Sequence, residues 1–144
     1  MLTQKEADML IGMLKKTVAQ EIEFPSAPGR VQFEAVGERR ENRFVVNISR
    51  KGINNEGATY QGREKYKGII LLRLDVNSSG THVNPLSREK ITGTHLHVYT
   101  EEFEMKETVP FDVNNQDLYQ LCFSFFDKFN IIEKPIVIEQ QKLF

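Results

Sequence analysis

The sequence predicts an α+β fold in which an antiparallel sheet of four or five strands packs against an N-terminal and a C-terminal helix. Apolar residues recur at helical spacing near both ends of the chain, from Ala7 to Val18 and from Leu118 to Phe129. Between these segments the apolar period changes to alternation, which is typical of half-buried strands. Because the chain has 144 residues, of which 40% are hydrophobic, residues 1–144 are expected to form a single domain.

The first helix is expected from Gln4 to Glu21. Thr3 and Glu6 have the spacing of a capping box, in which a hydroxyl and a carboxylate bind the free N–H groups of a helix start. Its apolar face consists of Ala7, Leu10, Ile11, Leu14 and Val18. Pro25, Pro28 and Gly29 then indicate an irregular exit.

The strands of the predicted sheet lie in the middle of the chain. Val31–Val36 and Phe44–Ile48 alternate in polarity around a turn at Glu38–Asn42 and predict a hairpin. Further strands are expected at Gly68–Val76, His95–Thr100 and Thr108–Phe111. Turn residues after Val76 support the end of the first of these.

The second helix is expected after Asn114, a residue type that caps helices well. Leu118, Leu121, Cys122, Phe125 and Phe129 line one face of it. Residues 131–138 follow as an extended or edge segment, because Pro135 cannot donate to a central ladder.

Composition excludes several classes of protein and location. The N-terminus lacks a secretion signal, and the longest aliphatic run, Ile69–Leu72, is too short for a membrane span. One cysteine, Cys122, permits no internal disulfide. A cytoplasmic protein without a membrane partner is therefore expected, and its oligomeric state is left open.

Charge is balanced overall but unevenly distributed. The formal net charge is −1, which is unlike a dedicated nucleic-acid binder. Residues 30–90 nevertheless hold twelve Lys/Arg against seven Asp/Glu, whereas residues 91–144 hold four against nine. Two oppositely charged surfaces are expected.

All three histidines fall between His82 and His97. A strand period of two places His95, His97 and Tyr99 on one face of their strand. The same period places Arg73 and Asp75 together on one face of the preceding strand. If these strands pair with matching faces, the catalytic candidates converge: His82, His95, His97, Arg73, Asp75 and Tyr99.

Such a cluster suits metal-free phosphodiester cleavage. One neutral histidine removes a proton, the second donates one as imidazolium, Arg73 stabilises the phosphorane, and Asp75 fixes a tautomer. An ordinary solvated sheet face accounts for the same residues and remains the competing interpretation. A metal held by His95 and His97 with His82 or Asp75 is a further alternative, but the spacing is not specific, so no metal and no other cofactor is expected.

A basic segment between Arg50 and Lys67 is the candidate nucleic-acid surface. Cations there attract a phosphate backbone while tyrosines stack on bases. The candidate residues are Arg50, Lys51, Arg63, Lys65, Lys67, Tyr60 and Tyr66. A solvated hairpin loop without a ligand is the alternative, since Glu56 and Glu64 dilute the charge.

The common nucleotide, zinc-protease and serine-hydrolase motifs are absent from the sequence. Leu72-Arg73-Leu74-Asp75, His82-Val83-Asn84-Pro85 and the run from Gly93 to Tyr99 resemble an uncharacterised family of small bacterial and prophage proteins. The resemblance implies a mobile-element setting and toxin-like or inhibitor-like roles, and it carries no catalytic assignment.

Two functions of different classes are therefore expected. The first is a toxin-like enzyme that cleaves RNA with the histidine pair. The second is a non-catalytic module, such as a prophage-encoded inhibitor, that uses its charge asymmetry to bind a host or phage protein. Whether the chain is an enzyme stays open at this point.

Overall fold

The computed structural model describes residues 1–51, 57–77 and 80–139. There are two helices in these residues: α1 (Gln4–Gly12) precedes the first strand, and α2 (Leu118–Lys128) lies between the tenth and eleventh strands. In chain order the strands are β1 (Lys15–Thr17), β2 (Glu21–Glu23), β3 (Gly29–Val36), β4 (Arg43–Arg50), β5 (Ala58–Glu64), β6 (Ile70–Val76), β7 (Thr81–Val83), β8 (Lys90–Thr92), β9 (His95–Val98), β10 (Thr108–Pro110), β11 (Ile131–Glu133) and β12 (Ile136–Ile138).

One large sheet organises the described part of the chain. Its eight strands follow the order β10-β9-β6-β5-β4-β3-β1-β11. All neighbours are antiparallel except β1 and β11, which are parallel. Two small pairs complete the described strands, β2 with β12 and β7 with β8. The α+β class is confirmed, with a mostly antiparallel sheet.

The predicted four or five strands understate this sheet. Strand β5 lies inside the basic segment that was considered as a solvated loop. Its Gly62 suggests flexibility in the sequence, yet the structure uses it for close packing, because a Cβ there would lie 2.6 Å from a ring carbon of Phe129. Strand β1 lies where the sequence predicts a helix, whereas β11 and β12 lie in the segment predicted as extended or edge, and β11 is the outer strand beside β1.

The predicted first helix is too long. Its start is confirmed, since Thr3 and Glu6 form the capping box, but it ends at Gly12 rather than Glu21. Leu14 and Val18, which extend the apparent apolar face, are each 55% exposed. The chain between them instead pairs with β3 and β11.

The second helix begins later than expected. Asp117, not Asn114, is its N-cap, and its side chain accepts a hydrogen bond from the backbone N–H of Gln120. Asn114 has a φ of 51°, in the left-handed region that asparagine tolerates. The buried face of the helix, with Leu121, Cys122 and Phe125, is as predicted.

The two faces of the sheet differ in chemistry. One face packs on both helices in a continuous apolar core that includes Phe33, Val46, Leu74 and Phe126. The opposite face carries a polar row in which Ser49 pairs with Thr59, Thr59 with Asp75, and Asp75 with His95. No helix in the described ranges is long and apolar enough to span a bilayer.

Candidate functional site

Strand register brings the chemically reactive side chains together. Strands β6 and β9 are neighbours, with Asp75 opposite His95 and Arg73 opposite His97. Residues directly opposite on paired strands share a face and lie closest to each other. The period of two keeps Leu74 and Leu96 on the core face. The polar face therefore concentrates two imidazoles, a carboxylate and a guanidinium.

Asp75, His95 and His97, here called the triad, are in mutual contact. The Nε2 atoms of His95 and His97 are 3.0 Å apart. Asp75 Oδ2 lies 3.0 Å from the His97 Nε2 and 3.4 Å from the His95 Nε2. The two histidines are buried, at 6% and 5% exposure. Three potential ligand or base atoms thus point at one small volume.

Backbone carbonyls set the orientation of both imidazoles. His95 Nδ1 lies 2.8 Å from the Gly93 oxygen, and His97 Nδ1 lies 2.7 Å from the Met105 oxygen. A carbonyl oxygen only accepts, so each Nδ1 carries the hydrogen and donates it. Each Nε2 of a neutral ring is consequently the atom with the free lone pair. Gly93, at a φ of 83°, makes the turn that aims its carbonyl at His95.

Asp75 is an anion at neutral pH. Burial by itself would raise the pKa of its carboxyl group, but the contact with His97 and the charge and hydrogen bond of Arg73 outweigh burial and lower that pKa to about 2. Arg73 Nη2 lies 3.1 Å from Asp75 Oδ2 and 3.1 Å from the His97 Nε2. The other carboxylate oxygen, Oδ1, accepts a hydrogen bond of 3.2 Å from the Thr59 hydroxyl.

The third histidine covers the pair rather than joining it. The His82 ring stacks on His95 at a centroid distance of 5.8 Å, and it meets His97 edge to face at 5.4 Å. Its Nε2 donates to the Lys106 oxygen. The β7–β8 hairpin that carries His82 is held to β10 by Asn84, which is bonded to both the backbone and the hydroxyl of Thr108.

Beside the triad, the polar face opens into a cavity of about 640 Å³, here called the polar groove. Arg73 and Asp75 form the end of its lining that contacts the histidines. The other lining residues comprise one cation, Lys51, the neutral hydrogen-bonding residues Ser49, Thr59, Gln61 and Asn77, and the small or apolar residues Gly57, Ala58 and Val76. Its volume is within the range of small-molecule binding sites in proteins.

Tyr99 does not lie with the other catalytic candidates. Strand β9 ends at Val98, and the side chain of Tyr99 enters the core at 3% exposure. Its hydroxyl group exchanges hydrogen bonds of 3.1 Å with the backbone of Leu2. Alternation fails here because the strand ends one residue before it.

The predicted nucleic-acid residues are scattered over the sheet. Tyr60 is fully buried and its hydroxyl binds the Leu118 carbonyl, so it offers no ring face to a base. Arg50 donates to the Pro25 carbonyl, Arg63 to Asn47, and Lys65 pairs with Glu34. Tyr66, at 65% exposure, and Lys67 lie in the exposed turn after β5. Lys51 alone of this set lines the polar groove.

Sequence reasoning missed the groups that orient the triad. Thr59 lies on β5, opposite Asp75, in a segment that alternation did not identify as a strand. The carbonyl groups of Gly93 and Met105 carry no side-chain signal. Only the Gly93 turn, two residues before His95, is visible in the sequence as a place where the backbone bends.

Comparison with known proteins gives a family but no function. The model of a family of unknown function (DUF6978) matches residues 2–131, a range that contains the triad, Arg73 and the polar groove. This agrees with the resemblance to an uncharacterised family. The searches of curated proteins and of solved structures find no match.

Proposed function

The chain belongs to this family of unknown function, and we propose that it is a toxin-like enzyme that cleaves RNA at the triad. The observation that carries the proposal is the convergence of His95 Nε2, His97 Nε2 and Asp75 Oδ2 beside the Arg73 guanidinium. Asp75 and Arg73 line the polar groove, and the two buried histidines lie directly behind them. Buried, mutually interacting titratable groups at the edge of a cavity are typical of reactive centres.

Arg73 is suited to stabilise the charge that develops on phosphorus. Its side chain is 32% exposed and lines the polar groove. A phosphoryl group that enters the groove meets a planar cation, which binds phosphate oxygens through two parallel N–H groups. Lys51 adds a second positive charge to the same lining.

The reaction needs one proton removed and one returned. The 2′-oxygen of the RNA forms a bond to phosphorus, the bond from phosphorus to the 5′-oxygen breaks, and the 2′-hydroxyl proton is taken up at the triad. The triad then returns that proton to the departing 5′-oxygen, so that the protein is unchanged at the end of the step. Histidines that flank a phosphate must stand on its two sides, whereas the Nε2 atoms here are 3.0 Å apart. The triad is therefore a single reactive unit, not two separate ones.

The proposal is tested with purified protein and end-labelled single-stranded RNA, beside a DNA strand of the same sequence. We expect cleavage of RNA only, because DNA lacks the 2′-hydroxyl that attacks. The paired variant His95→Gln/His97→Gln should lose cleavage while its circular dichroism spectrum stays that of the wild type. Intact RNA after incubation with folded wild-type protein would refute the proposal.

A second candidate, a protein-binding module such as an inhibitor from a bacterial or prophage element, is favoured by a different cavity. This acidic–apolar groove of about 850 Å³ lies along β10, an outer strand of the described sheet. It combines exposed Leu86 and Val109 with Glu101, Glu102 and Glu107. A partner that presents basic and apolar side chains complements it.

The second candidate responds to different substitutions. The reversal Glu102→Lys with Glu107→Lys should abolish capture of a basic partner, and it should leave RNA cleavage unchanged. The reverse pattern, loss of cleavage with capture intact, is expected for the histidine variant. Partner capture that survives the charge reversal would exclude this groove as the binding surface.

A further inference from the structure

The triad has the geometry of a metal centre. Among the described residues, Asp75, His95 and His97 form one group in which each offers a ligand atom within 4.8 Å of the others. At zinc–ligand distances of about 2.0–2.1 Å, neighbouring ligand atoms of a tetrahedral ion lie about 3.3 Å apart. The triad separations of 3.0, 3.0 and 3.4 Å are close to that spacing.

The hydrogen bonds around the triad favour a cation at its centre. Because both Nδ1 atoms donate to carbonyl oxygens, both Nε2 atoms of the neutral rings present lone pairs to each other and to the Asp75 carboxylate. Lone pairs at 3.0 Å repel unless a positive charge lies between them. Only Arg73, from one side, supplies such a charge among the described residues in contact with the triad.

Each triad residue also has the outer partner that metal ligands in proteins have. Metal-bound histidines hold their second nitrogen against a carbonyl or carboxylate, and metal-bound carboxylates are themselves hydrogen-bonded. Here Gly93 and Met105 hold the two histidines, and Thr59 holds Asp75 Oδ1. These bonds leave His95 Nε2, His97 Nε2 and Asp75 Oδ2 as the inward-facing atoms.

From this geometry we infer that Asp75, His95 and His97 bind one divalent first-row transition ion. Two imidazole nitrogens select such ions over Mg²⁺ and Ca²⁺, which prefer oxygen ligands. Three protein ligands leave positions open for water or substrate. In its role the inference rests on the proposed RNA cleavage. With the three triad lone pairs bound to the ion, water on the ion would take the 2′-hydroxyl proton in place of a free Nε2. Its binding can be measured without RNA.

Arg73 competes with the ion for the same lone pairs. Its Nη2 contacts Asp75 and His97, while its Nε is buried and has no hydrogen-bond acceptor in the described part of the chain. The guanidinium is thus incompletely satisfied where it stands. An ion in the triad displaces Nη2 and turns Arg73 toward the polar groove, where a phosphate would lie. Removal of this cation should therefore tighten ion binding.

The test uses the full chain, stripped with a chelator and dialysed, and titrated with Zn²⁺ by calorimetry and with Co²⁺ by visible absorption. We expect one ion per chain and no saturable binding of Mg²⁺. Asp75→Asn, His95→Gln and His97→Gln should each weaken Zn²⁺ binding by more than the roughly 10–100-fold that loss of an outer partner causes. Thr59→Val should fall within that range.

Two further variants separate the inference from a general loss of structure. Arg73→Met should bind Zn²⁺ at least as tightly as the wild type, and His82→Phe, which keeps the stacked ring, should bind it equally. Urea denaturation of each metal-free variant reports whether it is folded. Absence of Zn²⁺ binding by folded wild-type protein, or equal binding by the triad variants, overturns the inference.

The outcomes also distinguish this inference from the proposed function. Zn²⁺ binding by the triad without RNA cleavage would support the metal centre and refute the proposed nuclease activity. Cleavage by chelator-stripped protein that binds no Zn²⁺ keeps the nuclease and refutes the metal centre.

Discussion

Gly62 shows how a single missing side chain determines the packing of the core. The ring of Phe129 occupies the space that a Cβ at residue 62 would take, with its nearest carbon 2.6 Å away. Gly12, at the end of α1, has nothing within 4 Å of the same position. The two glycines therefore form a matched pair for one substitution.

Gly62→Ala should destabilise the fold by about 1–3 kcal/mol, the usual cost of overpacking a core. Gly12→Ala should be neutral or stabilising by up to about 1 kcal/mol, since alanine loses less backbone entropy in a helix. Urea denaturation of the two variants measures both. Equal stabilities would show that Phe129 does not pack against residue 62.

Cys122 is chemically silent in the folded chain. It lies fully buried on the apolar face of α2, and burial raises the pKa of its thiol to about 12. A raised pKa keeps the thiol neutral below that pH, so the reactive thiolate is roughly a 10⁻⁴ fraction at pH 8.

We expect no reaction of native protein with Ellman's reagent over hours at pH 8, and one thiol per chain after unfolding in guanidinium chloride. Rapid reaction of the native protein at this pH would contradict the buried position of Cys122.

At the scale of elements, Lys15 joins the ends of the two helices. Its ammonium group lies 3.0, 2.8 and 2.8 Å from the carbonyl oxygens of Ile11, Met13 and Phe129, and 4.1 Å from the centre of the Phe129 ring. Carbonyls at helix ends lack partners within the helix. One buried lysine therefore satisfies the ends of both α1 and α2.

Lys15→Met should destabilise the protein by about 1–3 kcal/mol at pH 7, because buried carbonyls lose their donor. Lys16→Met, at the exposed neighbouring position, should change stability by less than about 0.5 kcal/mol. Chemical denaturation of both variants gives the comparison. A Lys15→Met variant as stable as the wild type would remove this role.

The same lysine gives a pH dependence with a defined sign. Burial lowers the pKa of Lys15 from 10.5 to about 7. Between those values the unfolded chain binds one proton more than the folded chain, so stability rises with pH. The free energy of unfolding of the wild type minus that of Lys15→Met should therefore increase as the pH rises from 7 to 10. A constant difference would contradict the lowered pKa.

Elements with a clear period were predictable, and those without one were not. The β3–β4 hairpin, β6, β9 and the apolar face of α2 follow from alternation or helical spacing. Strand β5 was obscured because Gly62 and the surrounding cations are typical of a loop. Strand β1 is too short to show a period. The edge segment at residues 131–138 is predicted from Pro135, but the parallel pairing of β11 with β1 joins residues far apart in the chain.

For the whole molecule, the sheet topology decides what the site contains. The period of two predicts the face that His95 and His97 share, and the pairing of β6 with β9 then adds Arg73 and Asp75. The orienting carbonyls, the contact between the Nε2 atoms and the loss of Tyr99 to the core depend on three-dimensional packing. Sequence pattern thus predicts the members of the cluster better than its geometry.

The polar groove assigns separate roles to residues that line it. Lys51 is exposed and lines the polar groove away from the triad. Lys51→Gln should therefore weaken RNA binding and have little effect on the rate at which bound RNA is cleaved. Loss of one phosphate contact also reduces, by about 0.7 for a single strand, the magnitude of the slope of the logarithm of the binding constant against the logarithm of the salt concentration. Fluorescence anisotropy at several salt concentrations measures both, and an unchanged slope would place the RNA elsewhere.

The central claim is that the triad, rather than the surrounding cations, performs the chemistry. Single-turnover cleavage of labelled RNA by Asp75→Asn, with enzyme in excess, tests it most directly because binding no longer limits the rate. We predict a rate at least about 10²-fold below that of the wild type, with RNA affinity changed less than threefold. A rate equal to that of the wild type would contradict the claim.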